Sequence, residues 1–376
     1  MLDYITYFRA VAIIFIVAGH TLCWGHSTMK DFNTLLFAGG TYFFVFIAGF
    51  LFQYLAYKFD IKKYFKKKFL NVICPYFFTL LPCALPYTLS NTDNWFFTSS
   101  PVLTRFFAVT LGGYIVNGPV WFVGMIAVMF LFSPLFLYLK KYKKIYITMF
   151  LMSFILCLIV PRYSSVNTYL ELHLNFQTNA IAKILYVNFV VYFRSFLHFC
   201  FIYLLGMLTC EIITKNVMNI KENLKTIFYI SLFLYVFHFV VHLFIIKPTY
   251  NMRYMELISK LIETFVLLSG IMLLEQKIKQ YKILDKSLKF VADYSFGIFF
   301  VHGMVINYIW WSTPYLVRGL KNTTSFFIIN KNTSRYLFNS IEIFLIVLIG
   351  SILLLLILKF ILKLFGVKNT RIFIGV

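Results

Sequence analysis

An arginine and a histidine bracket ten uncharged, mostly aliphatic residues near the start of the chain, in Tyr7-Phe8-Arg9-Ala10-Val11-Ala12-Ile13-Ile14-Phe15-Ile16-Val17-Ala18-Gly19-His20-Thr21. A guanidinium is a permanent cation that grips phosphates and carboxylates, and an imidazole is a base or nucleophile near neutral pH. Hydrocarbon disfavours both groups, so an apolar helix that carries them marks a candidate site. Eleven residues at about 100° each return to nearly the same azimuth. Arg9 and His20 therefore share one helix face, roughly 16 Å apart along the axis.

Other polar groups sit inside apolar runs. His302 ends Asp293-Tyr294-Ser295-Phe296-Gly297-Ile298-Phe299-Phe300-Val301-His302 and is a second candidate imidazole. Arg194 and His198 are four apart, as are His238 and His242, so each pair meets on one helix face. An H-x-x-x-H pair can ligate a metal, but no intervening Glu or carboxylate cluster accompanies this one, and no metal site is expected. Glu263 and Glu342 can pair with a buried cation. Lys62-Lys63-Tyr64-Phe65-Lys66-Lys67-Lys68 is a basic cluster, read either as a topology signal facing anionic lipid or, for one or two lysines, as a grip on phosphate.

The elements that must position these groups follow from composition. The 376 residues are 61% hydrophobic and 21% aromatic with only 13% charged, and the mean hydropathy of +0.82 excludes an ordinary soluble domain. The net charge of +22 comes in lysine bursts between apolar runs, the positive-inside pattern rather than a nucleic-acid surface. Cys23, Cys74, Cys83, Cys157, Cys200 and Cys210 are scattered singly and imply neither a disulfide framework nor a zinc site.

A window of about twenty residues gives about ten transmembrane helices, at 5–24, 37–57, 69–89, 119–139, 145–160, 185–213, 226–246, 257–274, 290–311 and 338–362. The apolar stretch 104–115 is short and closed by Gly112-Gly113 and Asn117-Gly118-Pro119, which suits an interfacial or re-entrant segment. With these spans 23 Lys and Arg fall on one side and 10 on the other, Arg194 and Lys260 lying within spans. Both termini are expected in the cytoplasm. The expected fold is an all-α polytopic bundle, one membrane domain over 1–376 with no cleaved signal and no appended soluble domain.

Several of these pieces, in this order, resemble the acyltransferase-3 family of bacterial membrane O-acyltransferases. Arg9 to His20 matches its R-x10-H motif, and the aromatic second span ends at Gly49. Lys62 to Tyr76 is similar to the basic segment and Pro-Tyr that open span three. Gly118-Pro-x-Trp121-Phe122, Tyr203-Leu-Leu-Gly206-Met and Tyr294-Ser295-Phe296-Gly297-x4-His302 follow. Where the family often has R-x-x-R, this chain has Lys68 and Asn71. A lysine holds phosphate as a point charge rather than a planar fork, and Asn71 carries no charge.

The resemblance implies transfer of an acyl group, usually acetyl, from cytosolic acyl-CoA to a hydroxyl of an envelope or surface glycan across the bacterial inner membrane. It makes Arg9 and His20 the functional pair. His20 would act as base or nucleophile, and Arg9, Lys67 and Lys68 would hold the phosphates of acetyl-CoA. Trp121 and His302 are candidates for the acceptor; Tyr87, Trp95, Tyr114, Trp310 and Trp311 can stack on sugar or anchor at the interface. The expected partners are acyl-CoA, a glycan and the bilayer, with no metal and no nucleic acid. The alternative is a transporter or polymerase of lipid-linked glycans, against which the short loops speak.

Overall fold

In hydrocarbon an apolar chain can satisfy its backbone N–H and C=O groups only within helices or a closed barrel. The computed structural model describes residues 2–23, 28–89, 110, 120–160, 187–246, 253–319 and 333–376. Among them every regular element is helical. The helices are α1 (Asp3–Thr21), α2 (Thr28–Phe37), α3 (Thr41–Tyr54), α4 (Ile61–Lys68), α5 (Cys74–Leu89), α6 (Val120–Leu139) and α7 (Lys143–Ile159). They continue as α8 (Tyr192–Lys215), α9 (Val217–Val240), α10 (Arg253–Gln280), α11 (Lys282–Gly319), α12 (Thr333–Leu364) and the short α13 (Arg371–Ile374).

Eight stretches among the described residues are long and apolar enough to cross a membrane: Asp3–Thr21, Phe32–Tyr54, Trp121–Leu139, Phe189–Lys215, Ile220–Phe244, Leu257–Gln280, Lys282–Ile306 and Ile341–Leu364. The chain is a polytopic helical membrane protein. The two remaining expected spans, 69–89 and 145–160, are helical but shorter. The first is α5, of 16 residues, entered through a π-helical turn at Phe69–Ile73; the second is α7, of 17 residues. Pro75 stands two residues after that turn, and its missing N–H gives the backbone there no ordinary i−4 bond to keep. The 104–115 segment lies outside the described residues except for Thr110.

The chain divides into two compact units, Met1–Ala48 with Thr209–Phe365 and Val376, and Gly49–Leu208 with Gly366–Gly375. In the first, α1 packs against α2, α10, α11 and α12. Its apolar stretch is 67% buried, against 6% for Ile220–Phe244 and 17% for Ile341–Leu364. α1 is thus the enclosed helix of its unit, while α9 and α12 present aliphatic and aromatic surface suited to lipid. Phe8 packs against Phe43 and Phe46, with ring centroids 5.7 and 6.3 Å away.

In the second unit Gly49 sits against the backbone carbonyl of Tyr203, where any Cβ would overlap it. Two of the quoted motif fragments therefore meet at a contact only glycine permits. Tyr203 is fully buried beside Phe52 and Phe136. Its hydroxyl lies 2.8 Å from Ser133, the residue before the helix-interior Pro134. The tail belongs to this unit: α13 packs on α5 and on the π turn, with Phe373 and Phe78 ring centroids 4.6 Å apart.

Candidate active site

The continuous helix α1 carries Arg9 in its second turn and His20 in its last, so the shared face read from the spacing exists in the first unit. The Arg9 guanidinium is mostly enclosed, 14% exposed, and its Nη2 lies 3.3 Å from Asp293 Oδ1 on α11. Tyr7 donates its hydroxyl proton to Asp285 Oδ1 at 2.5 Å, and Lys289 bridges Asp285 at 2.8 Å. Asp3 meets Lys279 of α10 at 2.9 Å. Ion pairs and hydrogen bonds thus fix the Arg9 end of α1 against α10 and α11.

At the other end the imidazoles of His20 and His302 stand 5.3 Å apart, centroid to centroid, tilted by 38°. His302 is buried, and its Nδ1 lies 3.0 Å from the Ile298 carbonyl oxygen. A carbonyl only accepts, so Nδ1 carries the proton and Nε2 keeps the lone pair. The two rings can serve one reacting centre, one abstracting or relaying a proton and the other orienting a hydroxyl.

The surroundings of His20 are set by α2. Asn33 Nδ2 donates to the Leu22 carbonyl at 3.0 Å, satisfying a terminal acceptor at the end of α1. A Cβ on Gly19 would stand 2.9 Å from the Phe37 carbonyl oxygen, so α2 lies close against the last turn of α1. α2 is held in turn from α10. The buried Lys260 ammonium donates to the carbonyls of Leu35 at 3.3 Å and Leu36 at 2.9 Å, and pairs with Glu263 at 2.5 Å. Tyr235 donates to the same carboxylate at 3.3 Å.

Glu263 was expected to pair with a buried cation, and Lys260 is that cation. The link from Lys260 to α2 had no sequence counterpart, since its partners are backbone carbonyls more than two hundred residues away. The visible signal was a Lys and a Glu three apart inside one apolar span.

Lys67, Lys68 and Trp121 belong to the second unit. Lys67 projects from the last turn of α4 and is exposed. Lys68 is half-buried, with its ammonium 4.0 Å from the Phe130 ring centroid and 5.4 Å from that of Tyr64. Burial pushes its pKa down to about 8, and the positive charge of Arg371 adds to the effect. Trp121 stacks on Phe199, centroids 5.9 Å apart, and is half-buried. Tyr87, Trp95, Tyr114, Trp310 and Trp311 lie outside the described side chains.

His198 donates from Nδ1 to the Val160 carbonyl at 2.9 Å. His238 and His242 rings stand 5.7 Å apart. Among the described residues no three His, Cys, Asp or Glu side chains cluster closely enough to hold a metal ion.

No curated protein and no solved structure matches the chain. A family model described as an acyltransferase domain matches residues 2–360. That match takes in Arg9, His20, Lys68, Trp121 and His302, so the histidine pair and the cationic segments lie within the family's own domain, and the chain belongs to the acyltransferase-3 family of membrane acyltransferases.

Proposed function

We propose that this protein transfers an acetyl group from cytosolic acyl-CoA to a hydroxyl of an envelope or surface glycan, at the outer side of a bacterial inner membrane. The observation that carries the reading is the His20–His302 pair, 5.3 Å between centroids, at the end of α1 opposite to the one that holds Arg9. The positive-inside count supports a cytoplasmic position for the Arg9 end of α1. His20 then lies roughly 16 Å further along the axis, about halfway through a hydrocarbon core about 30 Å thick. A pantetheine arm entering from the donor side and a sugar from the acceptor side can meet there.

The chemistry follows from the groups. A sugar hydroxyl is a poor nucleophile at its own pKa, so a neutral imidazole must remove its proton as oxygen attacks the thioester carbonyl, or must first take the acyl group itself. In both routes a C–O bond replaces the C–S bond, and the proton taken from the hydroxyl leaves on the CoA thiol. His20 is the base or nucleophile, with His302 Nε2 as the neighbouring acceptor that orients the hydroxyl. Arg9 supplies fixed positive charge on the donor side, and Lys67 and Lys68 supply more for the phosphates of CoA. Trp121 offers an aromatic face to the acceptor.

Membranes containing the protein, mixed with radiolabelled acetyl-CoA and surface glycan, test the reading. Label is expected in the glycan as an alkali-labile ester, and a His20→Ala variant is expected to transfer none. Full transfer by that variant removes His20 from the mechanism; absence of label with the unaltered protein removes the acetyl-CoA donor.

A further inference from the structure

Lys68 closes α4, and the π turn Phe69–Ile73 begins at the next residue. The tail helix α13 lies against that turn and α5, held by Phe373 on Phe78 and by the buried Ile374 and Thr370. The tail reaches this place through Gly366, which turns at φ +75° with nothing within 4 Å of where a side chain would begin. Arg371, the first residue of α13, is therefore delivered next to Lys68, close enough for its charge to depress the lysine. Two cations are brought together by packing between segments three hundred residues apart in sequence.

Among the described residues neither is paired with an Asp or Glu side chain. Among the described residues of this unit Asp60 is the only carboxylate, and it caps α4 by accepting from the Lys63 N–H at 2.8 Å. The same unit carries Lys58, Lys62, Lys63, Lys66, Lys67, Lys68, Lys368 and Arg371. Most of these are exposed and suit a solvated, lipid-facing role. Lys68 differs, being half-buried with its ammonium over Phe130, a setting that desolvates a charge it could have kept in water. Arg371 is exposed and open to a ligand from the aqueous side.

We propose that Lys68 and Arg371 together form a binding site for a phosphate group, with the tail arginine supplying the second cation that the uncharged Asn71 does not. Lys68 gives a point charge from the apolar wall, and the Arg371 fork gives two parallel N–H donors from the water side. The phosphate belongs either to the adenosine end of an acyl-CoA or to an anionic lipid headgroup. Only the first source rests on the function proposed above.

The test uses the full chain in zwitterionic nanodiscs, with adenosine 3′,5′-bisphosphate as the first probe and phosphatidylglycerol added to the nanodisc as the second. Binding is read by calorimetry and by the titration midpoint of Lys68 in ¹³C-dimethyl-lysine NMR. Wild type is expected to bind the nucleotide with Lys68 moving upward from about 8, Arg371→Gln to weaken binding at least tenfold, and Arg371→Lys to lose less. If phosphatidylglycerol moves Lys68 in an Arg371-dependent way and the nucleotide does not, the site stands and its phosphate is lipid. If Arg371→Gln leaves both responses unchanged, or neither probe moves Lys68, the site is overturned. Acetyl transfer assayed in parallel separates this from the donor reading, since label transfer with an Arg371-independent phosphate response refutes the site alone.

Discussion

His302 and His20 stand with their ring centroids 5.3 Å apart, and the Nδ1 of His302 is committed to the Ile298 carbonyl at 3.0 Å. One imidazole is thereby fixed in tautomer next to one at the end of α1. General acid–base groups of this kind contribute about 10²–10⁴-fold to rate. His20→Ala is expected to lower kcat within that range, with the KM for acyl-CoA little changed. His302→Gln should lower kcat less. Steady-state kinetics on reconstituted protein decide it, and an unchanged kcat in His302→Gln removes the pairing from catalysis.

Arg9 and Asp293 are an unequal pair, one 14% and the other 72% exposed. An ion pair with so exposed a partner is worth about 0–1 kcal/mol, so Asp293→Asn should scarcely move the melting temperature. Arg9→Ala is expected to raise the KM for acyl-CoA about tenfold, in line with losing a charge-assisted contact worth about 1.5–3 kcal/mol. Equal acyl-CoA affinity in the variant and the parent would deny Arg9 its donor-side role.

Lys260 and Glu263 are both buried, 2% and 3% exposed. Removing one partner leaves a charge without compensation and costs about 3–5 kcal/mol. Lys260→Ala and Glu263→Ala should each destabilise the protein by that order, and the double variant by clearly less than the sum. Denaturant unfolding in detergent gives the cycle; strict additivity would mean the pair is not coupled.

Gly49→Ala drives a methyl into the Tyr203 carbonyl. Overpacking of this kind costs about 1–3 kcal/mol. Gly350→Ala is the matched control, since its Cβ would meet only Val305 at 3.4 Å and alanine favours a helix interior by about 0.5–1 kcal/mol. Thermal melts should separate the two; equal melting temperatures would contradict the close approach at Gly49.

Burial, with the Arg371 charge adding to it, pushes the pKa of Lys68 down from the ordinary 10.5 to about 8. A lysine depressed by folding destabilises the folded state fully below about 8, and that effect fades as pH rises toward 10.5. Phosphate binds the charged form. Acyl-CoA affinity should therefore fall as pH rises through about 8, with a proton taken up on binding above it. A KM profile from pH ~7 to ~9.5 should slope in wild type and flatten in Lys68→Gln. A flat wild-type profile would detach Lys68 from the donor.

Much of the frame was legible because membrane spans are a one-dimensional signal. Arg9 and His20 could be placed on one face from eleven residues of spacing alone, and α1 is unbroken. The spans at 69–89 and 145–160 were found as helices, but the π turn before Pro75 that shortens the first leaves no mark in hydropathy. What stayed hidden depends on which helices meet. His302 could be listed among membrane imidazoles, yet its place beside His20 comes from α11 packing on α1. Arg371 counted only as one more cation on the basic side, and nothing in its neighbours announces that Phe373 ties it to Phe78.

The Lys260–Glu263 pair also bears on how the protein enters the bilayer. A lone lysine or carboxylate at the centre of an inserting helix disfavours membrane entry by about 2.5–3.5 kcal/mol. Here the counter-ion rides three residues away on the same helix, so α10 can leave the translocon carrying a neutralised pair before any other segment docks. The carbonyls of Leu35 and Leu36 that Lys260 later engages are synthesised more than two hundred residues earlier. The order of synthesis thus presents the waiting acceptor first and the self-neutralised helix second.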